Sequence, residues 1–299
     1  MSARAFDAET RGGRVGAGLR GGQRLLRRIV QDPMGLLGLA LALLVVVTGL
    51  FADWLVLYDP LKIDVPNRLA DPTLAHPLGT DQLGRDVLSR VIKGSQIALL
   101  VGISATALAM LGGLSLGLLA GYGPRWLDNI LLLLFDAIYS FPIVMLALAV
   151  ITLLGPSLAT VMLVIVVGYV PVYARLVRTS TLGVKNSEFI LAERSLGARP
   201  LRILVRHILP NVVGPLFIIA SMDIPVVITI EAGLSFLGLG VRPPAPSWGR
   251  ILNDGYSFIR ETPWIVIGGG LPLIVTTLGF TFLGEALRDT LDPKLRRTI

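Results

Sequence analysis

The chain has 299 residues, 53% of them apolar and only 16% charged, with a formal net charge of +7 and a mean hydropathy of +0.73. That balance excludes an ordinary soluble domain, and repeated apolar runs of about 20 residues make it an all-α polytopic membrane protein. Cysteine is absent, which excludes disulfides and thiolate chemistry, and His76 and His207 lie too far apart to form a metal cluster. In a soluble protein the positive charge would point to nucleic acid. Here arginine-rich loops account for it, so no nucleic-acid partner is expected.

Residues 1–33 form an N-terminal tail rich in Gly and Arg. Residues 1–22 carry no apolar period and read as disordered. Arg24, Arg27 and Arg28 with Leu25, Leu26 and Ile29 suit a short amphipathic helix on the membrane surface. Asp32-Pro33 then reads as a helix start, with Asp as cap and Pro at the first position. The first span is 34–57. Its uninterrupted apolar core, 34–52, is 19 residues, about 28 Å at 1.5 Å per residue. That is too long for a signal peptide, and Leu50-Phe51-Ala52 is a poor cleavage site.

Residues 58–94 form a polar loop. Thr80 or Asp81 is placed to cap an amphipathic helix running to about Lys93, with Leu83, Val87, Leu88 and Val91 on its apolar side. Five spans follow within 95–287: 96–122, 130–154, 157–176, 212–236 and 264–287. The first of these repeats a small residue every fourth position at Gly113, Gly117 and Gly121. In lipid, such a stripe lets another helix approach closely. The 237–263 loop holds Arg-Pro-Pro-Ala-Pro-Ser-Trp, whose prolines exclude a helix there. Residues 288–299 are the C-terminal tail. Of the 27 lysines and arginines, 19 fall in the two tails and in the 123–129 and 175–206 loops. Six spans with both termini cytoplasmic satisfy the positive-inside rule.

Residues 188–211, EFILAERSLGARPLRILVRHILPN, stand apart from the apolar runs. Phe189, Ala192 and Leu196 fall near one face of a short helix. Gly197 permits a turn that a Cβ would resist. A second helical piece carries Leu201, Leu204, Val205 and Ile208 on one side, and Pro210 closes it or opens the next element. The segment holds no nucleophile–base pair and no ligand cluster. A helix–Gly–helix elbow between two spans is a docking shape.

This elbow resembles the "EAA loop" of binding-protein-dependent ABC importer permeases, roughly E-A-A-x3-G-x9-I-x-L-P. Ala192, Gly197, Leu209 and Pro210 match at the required spacing. Leu191, Glu193 and His207 stand where the pattern has Glu, Ala and Ile. The ending His207 to Asn211 is similar to the dipeptide/oligopeptide branch. So are Pro-Leu-Gly-Thr-Asp-Gln-Leu-Gly-Arg-Asp-Val-Leu-Ser-Arg at 77–90, the string that follows Glu231, and the tail at 287–296. The resemblance therefore spans nearly everything from Asp32 onward. It implies a type I ABC importer permease fold and a C-type permease subunit in the bacterial plasma (inner) membrane. It also implies that the cytoplasmic loop 178–211 couples to the ATPases, with Glu188 and Glu193 as candidate acids and Arg194 beside them. The implied partners are a related permease, two ABC ATPase subunits and an extracytoplasmic substrate-binding protein. Family members carry dipeptides, oligopeptides, nickel, glutathione or sugars.

Interior prolines, Pro142, Pro171, Pro225 and Pro272, mark the last four spans as candidate hinges around a wet pathway. Asp136, Tyr139, Asp223 and Glu231 lie in or near apolar runs. Acids at bilayer depth face a cavity or a partner, which makes the three acids, with Tyr139 between Asp136 and Pro142, candidate pathway residues. Glu285 beside Arg288 suits a plain ion pair. No catalytic residue, metal site or cofactor is expected in this chain. Its four lysines follow Leu61, Ile92, Val184 and Pro293, so there is no Gly-Lys-Ser/Thr P-loop, and ATP and Mg would be bound by partner ATPases. The alternative reading is a secondary transporter or channel driven by an ion gradient. It would leave the elbow without a role.

Overall fold

The computed structural model describes residues 29–291. The expected disorder of 1–22, most of the surface helix around Arg24, Arg27 and Arg28, and the tail beyond 291 lie outside the described residues. Within the described residues the fold is helical, and a single isolated bridge joins Thr80 to Asp86.

Helix α1 (Pro33–Leu50) begins as Asp32-Pro33 suggests. The Asp32 carboxylate accepts from Gly35 N at 2.8 Å, and Pro33 occupies the first turn, where no N–H is needed. After Phe51 the chain turns into the short α2 (Ala52–Leu55). Helix α3 (Val87–Tyr122) has 36 residues, about 54 Å at 1.5 Å per residue, against a hydrocarbon thickness of about 30 Å. Its first turns are the polar stretch expected to lie separately on the membrane. The expected cap at Thr80 or Asp81 is corrected for a physical reason. The Asp81 carboxylate is occupied by the N–H groups of Leu83 (2.8 Å) and Arg85 (3.0 Å) and by two guanidinium groups. Gly84 turns at φ +75, and Asp86 is the first acid free to cap, accepting from Ser89 N at 2.7 Å.

The third span is broken. Helix α4 (Arg125–Tyr139) and helix α5 (Ile143–Leu154) meet at 90° across Ser140-Phe141-Pro142. Pro142 lacks an N–H and pushes Phe141 away from helical backbone. Helix α6 (Leu158–Lys185) continues past residue 176, so Arg175 and Arg178 are helical rather than in a loop. Two short helices, α7 (Glu188–Ser195) and α8 (Pro200–Ile203), lead through a π-helical turn, Leu204–Ile208, into α9 (Leu209–Phe236). The three prolines at 243–246 are non-helical as expected. Directly after them the loop holds an unanticipated helix, α10 (Trp248–Tyr256), capped by Ser247. Helix α11 (Trp264–Leu291) completes the bundle.

Five helices are long and apolar enough to cross a membrane, and the bent α4–α5 pair makes a sixth. Helices α3 and α6 pack more extensively than any other pair. Their seam is the expected glycine stripe. A Cβ on Gly117 would stand 2.5 Å from the Ala174 carbonyl and 2.6 Å from Val177 Cβ, and one on Gly121 would stand 2.7 Å from Thr181 Cβ. The first and last helices close on each other in the same way. A Cβ on Gly38 would lie 2.7 Å from Phe282 Cβ, and one on Gly279 would lie 2.8 Å from Ala42 N. No ion pair joins Glu285 to Arg288 among the described residues.

Candidate functional site

The elbow is built by backbone chemistry. Gly197 sits at φ +80, its N–H bonds to Arg194 O at 3.0 Å, and Ala198 N bonds to Glu193 O at 3.0 Å. These two bonds form the Schellman closure that ends α7 and reverses the chain. Beyond α8, Pro210 has no N–H to offer the Arg206 carbonyl, and its ring crowds that group. The wider π turn takes up the mismatch, and Asn211 Nδ2 donates to His207 O at 2.6 Å. That turn also resets the side-chain period. The faces expected to pack were Phe189–Ala192–Leu196 and Leu201–Leu204–Val205–Ile208. Of these Ile208 is fully buried as expected and Leu204 half-buried, but Ile190 and Ile203 take the other buried places, against Tyr173, Val177, Val212 and Leu216 of α6 and α9. Leu196 is left 85% exposed and Leu201 70% exposed.

Leu201 lines an open depression of about 670 Å³ together with Gly197, Arg199, Arg202 and Val205. Glu188, Ala192 and Arg194 are exposed on α7, Leu209 is half-buried and Pro210 exposed. Of the two candidate acids, Glu193 reaches across the elbow to His207, Oε1 to Nε2 3.6 Å, beside the Phe189 ring. Glu188 makes no ion pair among the described residues. The arrangement offers an apolar tip ringed by guanidinium groups, rooted in the bundle core. It is a docking surface without reacting groups.

A second site lies at the broken span. A cavity of about 600 Å³ is lined by Tyr139, Phe141, Pro142, Gly168, Tyr169 and Asp223, among others. Asp223 makes no hydrogen bond or ion pair among the described residues. The hydroxyl of the fully buried Tyr173 lies beside Asp223, with no hydrogen bond of ordinary length and angle. Asp136 is placed at the margin. It pairs with Arg175 at 2.7 Å, and that guanidinium lies 5.2 Å over the Tyr139 ring. One helical stretch further along, Asp128 takes Arg178 in a two-point contact at 2.5 and 2.7 Å. Both pairs tie α4 to α6.

Glu231 is not part of this cavity. It is buried under the chain that follows α9, where Ser235 Oγ donates to it at 2.6 Å and in turn accepts from Val241 N at 3.1 Å. Of the interior prolines, Pro142 stands at the break, whereas Pro171, Pro225 and Pro272 lie inside unbroken helices.

The opposite end of the bundle carries a charge cluster that sequence reasoning missed. Arg85 bonds Asp81 at 2.7 Å, and Arg90 bonds the same carboxylate. Arg90 also reaches Asp254 at 3.2 Å, and Arg250 meets Asp254 at 3.3 Å. Arg90 is 2% exposed and Asp81 is fully buried. Burial, then the neighbouring Arg90, holds Arg85 below its ordinary value, while Asp81 and Asp254 pull it back. Trp248 Nε1 donates to Val91 O at 3.0 Å, and His76 meets Asp86 at 2.9 Å. Further along α3, Lys93 and Gln96 bind Asp53 of α2, and the Lys93 contact chiefly holds that carboxyl low. The available signal was the string 80–90 itself, dense in charge yet bounded by Gly and apolar residues.

Residues 113–297 match the family described as binding-protein-dependent transport system inner membrane component, and residues 22–72 match the N-terminal transmembrane domain of oligopeptide transport permease C. The chain is 36% identical to a dipeptide transport system permease protein of Alkalihalophilus pseudofirmus, over 90% of this chain and 89% of the relative. It is 40% identical to a glutathione transport system permease protein of Pectobacterium atrosepticum, over 92% and 90%. Among solved structures, an inward-facing methionine ABC transporter shares the fold with a TM-score of 0.56 at 19% identity, covering 68% of this chain and 97% of that one.

Proposed function

We propose, for a chain that belongs to the family of binding-protein-dependent transport system inner membrane components, that it forms half of the translocation pathway of an ATP-driven importer for di- or oligopeptides. A related permease supplies the other half. Two ABC ATPase subunits, which bind ATP and Mg, dock on the elbow from the cytoplasm, and an extracytoplasmic binding protein delivers cargo to the opposite end. The assembly sits in the bacterial inner membrane with both termini of this chain inside. The cargo class follows the relatives, which are named for dipeptides, di/tripeptides and glutathione.

The observation that carries this reading is the elbow's exposed apolar tip. Leu201 stands in solvent with Arg199 and Arg202 beside it, Leu196 is exposed just before Gly197, and Ile190, Ile203 and Ile208 root the same segment in the core. An exposed apolar patch ringed by charge suits a protein partner. Its buried roots give a push on the tip a path into α6 and α9. ATPase closure would move the elbow about Gly197 and rock the bundle between inward- and outward-open states. Glu188, unpaired in the first turn of α7, is the acid offered to the ATPase, and Glu193 braces His207 within the elbow. Tyr139 and Asp223 face the pathway, with Asp136 at its margin and Pro142 at its bend.

Mild-detergent purification followed by mass spectrometry of the co-purifying chains tests the reading. P-loop ATPases and a second permease are expected. A chain that purifies alone, yet supports uptake driven by an ion gradient in liposomes, would overturn the importer reading in favour of a secondary transporter.

A further inference from the structure

We infer that the cavity at the broken span holds the protonated amino group of the passing cargo, with Asp223 as its counter-charge and Tyr139 and Tyr169 as its walls. The inference rests on the permease reading and gives that pathway a ligand chemistry.

Asp223 lies in α9 among apolar residues, lines a cavity of about 600 Å³, and has neither an ion-pair nor a hydrogen-bond partner among the described residues. The acids of α4 and the other acid of α9 are matched, and Glu285, without an ion pair, is exposed near the end of α11. Asp128 has Arg178, Asp136 has Arg175, and Glu231 has Ser235. A carboxylate left unmatched in a membrane segment is costly unless something else completes it. Arg175, a nearby cation, is already held between Asp136 and the Tyr139 ring.

The surroundings select what completes it. A metal ion needs several convergent ligands, and among the described residues no group of three or more His, Asp or Glu could hold one. A primary ammonium needs less. It carries three donors and gains from aromatic faces. The cavity supplies one carboxylate, two tyrosine rings and, behind them, the buried Tyr173 hydroxyl with no partner. An ammonium at Asp223 satisfies the carboxylate and can donate to that hydroxyl as well. The volume falls in the range of small-ligand sites, about 300–1,000 Å³, which suits a short peptide entering amino end first.

The absence of cysteine makes the test direct. Ser140→Cys in the cavity wall places one thiol in this chain. In the purified, assembled importer in nanodiscs, its modification is followed by mass spectrometry of this chain's peptides, with cationic and anionic methanethiosulfonates of matched size. The cationic reagent should react about fivefold faster or more, as a focused negative charge predicts. That preference should vanish in Asp223→Asn and return in Asp223→Glu. Dialanine should slow the labelling, and N-acetyl-dialanine at equal concentration should not.

An unreactive thiol would mean that lipid or the second permease fills the cavity. A preference that survives Asp223→Asn, or equal protection by both peptides, would also overturn the inference. The peptide comparison needs no change at Asp223, so the test stands even if Asp223→Asn fails to assemble. ATPase chains recovered with the Ser140→Cys importer keep the permease reading intact whichever way the cavity answers.

Discussion

The two ends of the bundle solve opposite problems. At one end Asp81, Arg85, Arg90 and Asp254 are buried together, joining the 58–86 segment, the start of α3 and α10. Trp248 adds a hydrogen bond from α10 to Val91. Every group there depends on two or more others. At the other end the elbow has a single side-chain pair across it, Glu193–His207 at 3.6 Å and part-exposed, and its turn is made by backbone bonds around Gly197. A buried charge network resists any displacement that strands one member. An elbow held by a glycine turn and three buried isoleucines can move as a unit. Under the proposed function the first is the fixed end and the second the movable one, joined by the α3–α6 seam.

Substitutions should separate the two ends by what they damage. Arg90→Ala removes one of the two cations shared by Asp81 and Asp254, leaving Arg85 to both, and should cost about 3 kcal/mol, the low end for breaking a buried pair. It should be read as a large fall in Tm or a loss of assembled chain in detergent; an unchanged Tm would break the picture of a locked end. Gly117→Leu overpacks the seam where a Cβ already meets Ala174 and Val177, at about 1–3 kcal/mol, and thermal unfolding in detergent should register it. Asp128→Asn weakens the two-point contact to Arg178 by about 1 kcal/mol. A double-mutant cycle with Arg178→Gln should return a coupling of that size, and no coupling would mean α4 is held by packing alone. His207→Ala should move Tm least, by less than about 1 kcal/mol, since its partner is part-exposed. A large loss there would show that the elbow is locked as tightly as the far end.

Much of the bundle was legible because membrane spans announce themselves by length and apolarity. The glycine stripe of α3, the Asp32-Pro33 start and the turn at Gly197 are also local signals, carried by residues whose backbone preferences act in place. Three features escaped. The π turn at 204–208 follows from a proline two residues beyond it, and across it Ile203 is buried with Ile208 while Leu201 and Val205 are exposed, against the 3.6 period. Helix α10 begins one residue after Ser247, close enough to the prolines for their signal to mask it. The charge cluster pairs residues 90 and 254, and nothing local distinguishes an arginine bound for such a partner from one bound for solvent. At the candidate site, sequence pointed to Asp223 and Tyr139 as polar groups in apolar runs. It had no means to separate Asp136, whose cation Arg175 follows 39 residues later on another helix, or Glu231, which holds the chain after α9, from Asp223, which lines the cavity without an ion pair.

Movement of the elbow is best tested at Gly197. At φ +80 this position is closed to proline, whose ring fixes φ near −65°, so Gly197→Pro must distort the turn while leaving the charge cluster and the seam untouched. The importer carrying it should be reconstituted with its binding protein in proteoliposomes, and ATP hydrolysis and peptide uptake measured together. The expected result is an assembled complex that still hydrolyses ATP with uptake reduced at least about tenfold, a loss of about 1.4 kcal/mol or more in coupling. Uptake at the level of the unsubstituted importer would contradict it.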